Sequence, residues 1–190
     1  MNEHSKNLIL SSSALIPVLG GGISILIDKY IPSELEKRRN KLIEQLDKDI
    51  EAVKEKVKPD RLESAEYSTI LFKVFKNAIE EHDQEKINKY RAILQNSAIT
   101  DYIENPEIEF YIKLLNELTT SHIKLVKLID ENNFHYEVHY IHTEESDKVL
   151  QDYCIKDLER VNLISKDVFS PHVITELGKR FINFIKLHEI

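Results

Sequence analysis

The sequence predicts a mainly α-helical protein with a small β-hairpin close to its C-terminal end. Between Ser33 and Ile129, apolar residues recur at steps of three and four, the spacing that lines one face of an α-helix. Capping signals and prolines divide this region into several helices. Patterns typical of strands occur only at residues 134–140 and after Leu163. The fold class is therefore mainly α, with an N-terminal helical region and a separate C-terminal module.

Length and composition bound the possible functions. The 190 residues can hold one domain or two small ones, and the patterns divide the chain into 1–30, 31–104 and 105–190. A single cysteine, Cys154, excludes an internal disulfide and any zinc site built from several cysteines, and it fits a reducing cytoplasm. Because Cys154 lies in an apolar segment, we expect a buried core residue rather than a nucleophile. The formal charge of −7 disfavours a general nucleic-acid binder, which needs a basic face.

The N-terminal region holds a stretch without charged residues, from Leu8 to Ile27, which must be buried by a bilayer, a partner copy or the protein's own core. Its length of about 20 residues suits a membrane-spanning helix. Pro17 and three consecutive glycines interrupt such a helix, so a broken, buried or self-associating helical hairpin is favoured. Glu3 and Lys6 precede the stretch, so no secretory signal is expected. The residues assigned to this membrane or oligomer segment are Leu8, Ile9, Leu10, Leu15, Ile16, Pro17, Val18, Leu19, Gly20, Gly21, Gly22, Ile23, Ile25, Leu26 and Ile27.

The first helix after this segment opens with a capping box formed by Ser33 and Glu36, and Pro59 is expected to end it. Its apolar residues alternate steps of three and four, which predicts a short coiled-coil seam made of Ile43, Leu46, Ile50, Val53 and Val57. Four basic residues cluster near its start, namely Lys37, Arg38, Arg39 and Lys41. Ion pairs with acidic neighbours on the helix are favoured for this cluster over contacts with anionic lipid headgroups.

Three further helices are predicted up to residue 129. Their starts are marked by Asp60 with Glu63, by Asp83, and by Asn105 with Pro106. The last of them carries a regular three-four stripe from Ile108 to Ile129, which predicts one continuous helix. His122 lies within that stripe, where a hydrogen-bonded core histidine is expected rather than a metal ligand.

After Asn133 the spacing of apolar residues changes to two, which predicts a half-buried strand. The apolar positions of this strand are Phe134, Tyr136, Val138 and Tyr140. In a strand, His135 and His139 would lie roughly 13 Å apart on the solvent side, too far to share one ion. A helix would bring them close together, so a metal site at His135, His139 and His142 stays open as the alternative to the strand.

The C-terminal region shows the order helix, helix, hairpin, helix, which predicts a winged-helix-like module. An amphipathic stretch from Ser146 includes Val149, Leu150, Tyr153, Leu158 and Val161, and two short β-type runs follow it. Thr175 opens the last helix. Residues 144–160, which would hold the recognition helix, contain six acidic and three basic residues, a formal charge of −3. Because phosphate repels this charge, a protein-binding or structural module is favoured, and DNA binding by a winged-helix transcriptional regulator is the alternative.

Three strings in the second half of the chain carry a resemblance to a known family. They are NPEIEFYIKLLNELTTSHIKLVKLIDEN, IKDLERVNLIS and ITELGKRFINFI. In this order and spacing they resemble the C-terminal half of the bacterial abortive-infection alpha family. Within them, Gly178 is expected to allow close packing of the last helix, and the family usually has a glycine where this chain has Asn162. The resemblance implies a part in defence against bacteriophage and supplies no catalytic residue.

The function expected from the sequence is non-enzymatic. The chain has no G-x-S-x-G elbow, no Walker phosphate loop and no H-E-x-x-H pair, so we assign no catalytic, cofactor or metal-binding residue. We expect an interaction protein of phage defence that acts through oligomerisation or membrane engagement. The expected partners are other copies of the chain, a protein not identified by the sequence, and a membrane surface. The expected location is the cytoplasm or the inner face of the membrane.

Overall fold

The computed structural model describes residues 33–100, 105–131, 145–166 and 172–188. Within these ranges the chain is mainly helical and carries a two-stranded antiparallel hairpin near its C-terminal end, which confirms the predicted fold class. In chain order the elements are α1 (Ser33–Ala52), α2 (Pro59–Leu62), α3 (Ala65–Glu80), α4 (Gln84–Ile99), α5 (Asn105–Glu117), α6 (Thr120–Glu131), α7 (Glu145–Arg160), β1 (Ile164–Ser165), β2 (Val173–Ile174) and α8 (Glu176–Phe184). Segment 8–27, the expected strand at 134–140, and His135, His139 and His142 lie outside the described residues.

The described residues form two compact units. Unit 1 comprises the described residues of 33–112 together with 187–188, and unit 2 comprises the described residues of 113–186. The division falls inside α5, between Ile112 and Lys113. The sequence places a boundary at residue 105, where the same helix begins.

In unit 1, α1 ends earlier than the sequence predicts, at Ala52 rather than at Pro59. Beyond Ala52 the N–H of Val53 donates to the carbonyl of Ile50 at 3.1 Å, and the N–H of Lys56 donates to that of Val53 at 2.8 Å. These bonds span three residues instead of four, so the helix tightens into successive turns. Valine loses side-chain freedom in a helix, which favours an end at this point.

The helix α3 forms the centre of unit 1 and packs against α1 and α4. Its buried residues are Tyr67, Ile70, Leu71, Val74, Phe75, Ala78 and Ile79. The N-cap is Ser64, whose hydroxyl oxygen accepts the N–H of Tyr67 at 3.1 Å. The predicted cap Asp60 instead lies in the first turn of the short helix α2. At α4 the predicted cap is confirmed, because Asp83 accepts the N–H of Glu85 at 2.8 Å.

Buried polar groups join α4 to the rest of unit 1. Arg91 makes two hydrogen bonds to the carboxylate of Asp49 on α1, each 2.7 Å long, and both side chains are nearly buried. One turn later, the Nε2 of Gln95 donates to the carbonyl of Asp49 at 2.7 Å. Gln95 also binds the backbone of His188, accepting its N–H at 2.7 Å and donating to its carbonyl at 3.3 Å. These bonds satisfy polar groups that would be costly to bury alone.

The long helix predicted to start at Asn105 is broken at Thr119 into α5 and α6. Thr119 occupies the position before α6, and its N–H donates to the Nδ1 of His122 at 3.2 Å. His122 therefore takes the part that a glutamate or glutamine plays in a capping box. Leu118 and Leu125 are both buried, so the apolar stripe continues across the break. The spacing alone could not reveal a break that preserves the stripe.

In unit 2, α7 ends in a Schellman motif centred on Asn162. The N–H of Leu163 donates to the carbonyl of Leu158 at 3.0 Å, and the N–H of Asn162 donates to that of Glu159 at 2.9 Å. Asn162 has a φ of 58°, the left-handed conformation in which glycine is favoured and asparagine is the usual substitute. Leu158 and Leu163 are fully buried, as the apolar contact of this motif requires.

The start of α8 is bound to this turn through Thr175 and Gly178. The hydroxyl of Thr175 accepts the N–H of Gly178 at 2.9 Å and lies 2.7 Å from the carbonyl oxygen of Asn162, to which it donates. A Cβ atom added to Gly178 would lie 2.2 Å from the carbonyl oxygen of Leu163. The close packing expected of Gly178 is therefore confirmed, and the hairpin is the reason for it.

Asn162→Ala is expected to lower the free energy of unfolding of unit 2 by about 1 kcal/mol, because a Cβ-bearing residue other than asparagine is strained at this φ. Asn162→Gly should stay within about 0.5 kcal/mol of the wild type, since relief of strain offsets the greater freedom of the unfolded chain. Urea denaturation of the three proteins measures both differences. Equal losses in the alanine and glycine variants would show that the asparagine side chain matters, and not the backbone conformation.

Candidate interaction surface

The helix α7 carries an exposed apolar patch in unit 2. Its members are Val149, Leu150 and Tyr153, which are 68%, 56% and 61% exposed, and we call them the α7 patch. Single exposed apolar side chains are common on protein surfaces, but three within five residues of one helix form a continuous patch. Phe72 on α3 and Phe110 on α5 are the other large apolar side chains exposed in the described part of the chain.

The opposite face of α7 is buried in unit 2. Cys154, Ile155 and Leu158 form this face, and the helix packs against α6 and β1. The sequence predicts an amphipathic stretch whose apolar residues are Val149, Leu150, Tyr153, Leu158 and Val161. Of these, Leu158 is fully buried, whereas Val149, Leu150 and Tyr153 are exposed. The two sets are separate apolar stripes on the helix, and only one of them contacts the core.

Charged side chains border the α7 patch. Asp152 and Lys156 flank Tyr153 on either side in the sequence, and both are exposed. Arg160, one turn beyond Lys156, contacts Asp157 at 3.2 Å and Glu117 at 3.9 Å. Asp152 thus lies between Leu150 and Tyr153 in the sequence, and Lys156 lies just beyond the C-terminal end of the patch. Charges of both signs beside an apolar patch can pair with opposite charges on a partner.

The predicted coiled-coil seam is used within unit 1. Leu46 and Val53 are buried, and the remaining members of the seam, Ile43, Ile50 and Val57, are partly buried. Ile50 and Val57 pack against the cluster of Leu62, Tyr67 and Ala98. Val53 and Val57 lie beyond the end of α1, so they extend the seam as turns rather than as helix. The seam thus holds α1 to its own unit.

The four basic residues near the start of α1 do not share one face. Arg39 lies 3.9 Å from Glu36 and also bonds the side chain of Asn40. Arg38 instead donates to the Nδ1 of His82 at 2.9 Å, and Lys41 lines the same region of the surface. The favoured prediction, ion pairing along the helix, holds for Arg39 and not for Arg38.

His122, Asp157 and Cys154 lie close together in the core of unit 2. The Nε2 of His122 is 3.6 Å from Asp157, and its Nδ1 accepts the N–H of Thr119. Burial, and secondarily the Asp157 carboxylate, raise the pKa of the Cys154 thiol. A thiol with a raised pKa is a poor nucleophile at neutral pH. The expected roles, a hydrogen-bonded core histidine and a buried cysteine, match these contacts.

Among residues 33–100, 105–131, 145–166 and 172–188, no three histidine, cysteine or acidic side chains are grouped so that they could hold a metal ion. In the same ranges, every helix is too short or too polar to cross a membrane.

Comparison with known proteins leaves the class of the chain open. No protein-family model, curated protein or solved structure matches it. The resemblance to the abortive-infection alpha family therefore stays a prediction.

Proposed function

We propose that this chain is a non-enzymatic interaction protein of bacterial phage defence that acts through self-association. The observation that supports self-association is the α7 patch, three apolar side chains left exposed on a helix whose other face is already buried. A helix with apolar residues on both faces is typical of a buried element, and here the described residues cover only one face. We propose that a second copy of the chain packs against the other, exposed face of α7.

The positions of the patch residues suit an antiparallel second copy. In a two-fold symmetric dimer the same helix packs against itself, so each contact occurs twice. An antiparallel α7 pair with its axis near Gln151, the middle of the α7 patch, places Val149 of one copy opposite Tyr153 of the other. This register buries the patch of each copy against the patch of the other.

The part in phage defence rests on the resemblance described above. Two positions within the matching strings have a physical explanation in unit 2. Asn162 has the left-handed conformation that glycine favours, which is the residue the family usually has there. Gly178 lies where a side chain would overlap the carbonyl oxygen of Leu163. The departure at Asn162 is therefore compatible with the proposed family, because asparagine also adopts this conformation, and Gly178 is a position where the backbone requires glycine.

Segment 8–27 is the proposed effector element. In the resting protein it is held buried or in contact with another copy, and on activation it engages the inner face of the membrane. Deletion of residues 1–28 tests this role by three readouts: oligomeric state, flotation with anionic and neutral liposomes, and protection of a bacterial culture against phage. If all three are unchanged by the deletion, the segment has no part in the function.

The self-association is tested by analytical ultracentrifugation of the full chain and of three variants. Leu150→Lys and Tyr153→Lys each place a charge in the proposed interface, and we expect the dissociation constant of the dimer to rise by about thirtyfold, the effect of losing a central contact. Phe72→Lys is the matched control, because Phe72 is a comparably exposed aromatic residue in unit 1.

Two results would contradict the proposal. One is a wild-type chain that stays monomeric at every concentration tested, and the other is equal dissociation by Phe72→Lys. Loss of phage protection in Leu150→Lys, with protection kept in Phe72→Lys, would connect the dimer to defence.

A gel shift with duplex DNA at low salt tests the alternative, a transcriptional regulator, which predicts salt-sensitive binding.

A further inference from the structure

We propose that a small pocket in unit 1 binds a phosphoryl group through Arg38, Lys41 and His82. The pocket has a volume of about 170 Å³ and lies between α1, the end of α3 and the start of α4. Its floor is aliphatic, and its rim carries these three basic side chains with the amides of Gln45 and Gln84. Pockets for drug-sized ligands are larger, about 300 to 1,000 Å³, so this one suits a single compact group.

The positive charges of the pocket are available to a ligand. Within the described residues, neither Arg38 nor Lys41 makes an ion pair with a carboxylate. Arg38 donates to the Nδ1 of His82 at 2.9 Å, and because arginine can only donate, His82 carries its ring proton at Nε2. The pocket therefore presents a guanidinium, an ammonium and a ring N–H. Donors from three side chains match a tetrahedral oxyanion better than a planar carboxylate, which one arginine can bind alone.

Glu81, the acidic residue of the rim, is occupied by other donors. Its Oε1 accepts the backbone N–H groups of His82 at 2.7 Å and Asp83 at 3.0 Å, and its Oε2 lies 3.4 Å from Lys86. Burial alone would raise the pKa of Glu81, but these two N–H groups and Lys86 outweigh it and lower the pKa. The negative charge of Glu81 is thus compensated locally. The start of α4 reaches the rim at Gln84, and the carboxylate of Asp83 that caps it already offsets the positive end of its helix dipole.

The first test is a titration of the full chain with inorganic phosphate, followed by amide NMR, against chloride at the same ionic strength. We expect phosphate to shift the resonances of residues around the pocket. Arg38→Gln and Lys41→Gln should each weaken binding by about tenfold, the effect of one lost charge-assisted hydrogen bond. Lys56→Gln is the matched control, because Lys56 is an exposed cation of the same unit without an ion pair among the described residues. Absence of a phosphate-specific shift, or equal weakening by Lys56→Gln, would overturn the proposal.

The second test identifies the source of the phosphoryl group. Vesicles of phosphatidylcholine are compared with vesicles that also contain phosphatidic acid, whose headgroup is a phosphate monoester. If the pocket takes a lipid headgroup, Arg38→Gln lowers binding to the acidic vesicles and Lys56→Gln does not. If it takes a soluble phosphate, inorganic phosphate binds and neither variant changes vesicle binding. The phosphoryl site is separate from the α7 patch, so failure of this proposal would leave the proposed self-association intact. Binding to acidic vesicles without binding of inorganic phosphate would disprove the phosphoryl site.

Discussion

Arg91→Leu is expected to lower the free energy of unfolding of unit 1 by about 3 to 5 kcal/mol. The variant removes both hydrogen bonds to Asp49 and leaves its carboxylate without them in a position where its side chain is only 11% exposed. Breaking one partner of a buried ion pair costs this much because the remaining charge has lost its water and its counter-charge. Urea denaturation followed by far-ultraviolet circular dichroism measures the change.

Two further variants test whether the loss of stability in Arg91→Leu comes from burial of the remaining charge. Asp49→Leu combined with Arg91→Leu should recover much of the loss, because two apolar side chains of suitable size can replace a buried pair without penalty. Lys48→Leu removes the partner of Glu44 in a pair whose side chains are 71% and 69% exposed, and it should have a much smaller effect. A loss in Lys48→Leu as large as that in Arg91→Leu would contradict the role given to burial.

Gly178→Ala is expected to destabilise unit 2 by about 3 kcal/mol. The added methyl group would lie 2.2 Å from the carbonyl oxygen of Leu163 and 2.7 Å from the Cγ1 of Ile174, so either the hairpin or α8 must move. Overpacking of this kind costs 1 to 3 kcal/mol, and the contact with backbone cannot be relieved by a side-chain rotation.

The sign of the Gly178 effect distinguishes two explanations. Helix propensity predicts a gain of about 1 kcal/mol when alanine replaces glycine within a helix. Close packing predicts a loss. Lys179→Ala, an exposed neighbour on the same helix, should leave stability nearly unchanged and serves as the control in the same denaturation experiment. A more stable Gly178→Ala variant would show that α8 can shift away from the hairpin.

Much of the helical framework could be predicted because its signals are local. The caps Asp83 and Thr175 each lie directly before the helix they cap, as their sequence context indicates. The order of elements in unit 2 follows from the change of apolar spacing after Leu163. Asp60 and Ser64 are both residues of a type that caps helices, and the sequence pattern predicts Asp60 as the cap. The cap is Ser64, because only the packed chain shows which backbone N–H groups need an acceptor.

The α7 patch could not be predicted because two apolar stripes lie on one helix. Val149 and Tyr153 have the same three-four spacing as Cys154 and Leu158, and the spacing alone does not show which pair faces the core. The contacts of α6 and β1 decide this, and they are tertiary. The pocket at Arg38 was missed for a related reason. His82 is separated from Arg38 by 44 positions, so no local pattern connects them.

The hydrogen bonds of Gln95 cannot all form at the same stage of synthesis. Gln95 pairs with His188, 93 positions further along the chain, and all of unit 2 is synthesised between them. A ribosome therefore releases most of unit 1 before the backbone groups of His188 exist. During that interval Gln95 can already donate to the carbonyl of Asp49, but its Oε1 must accept from water instead of from the N–H of His188. This hydrogen-bond network is therefore completed only after unit 2 has been synthesised.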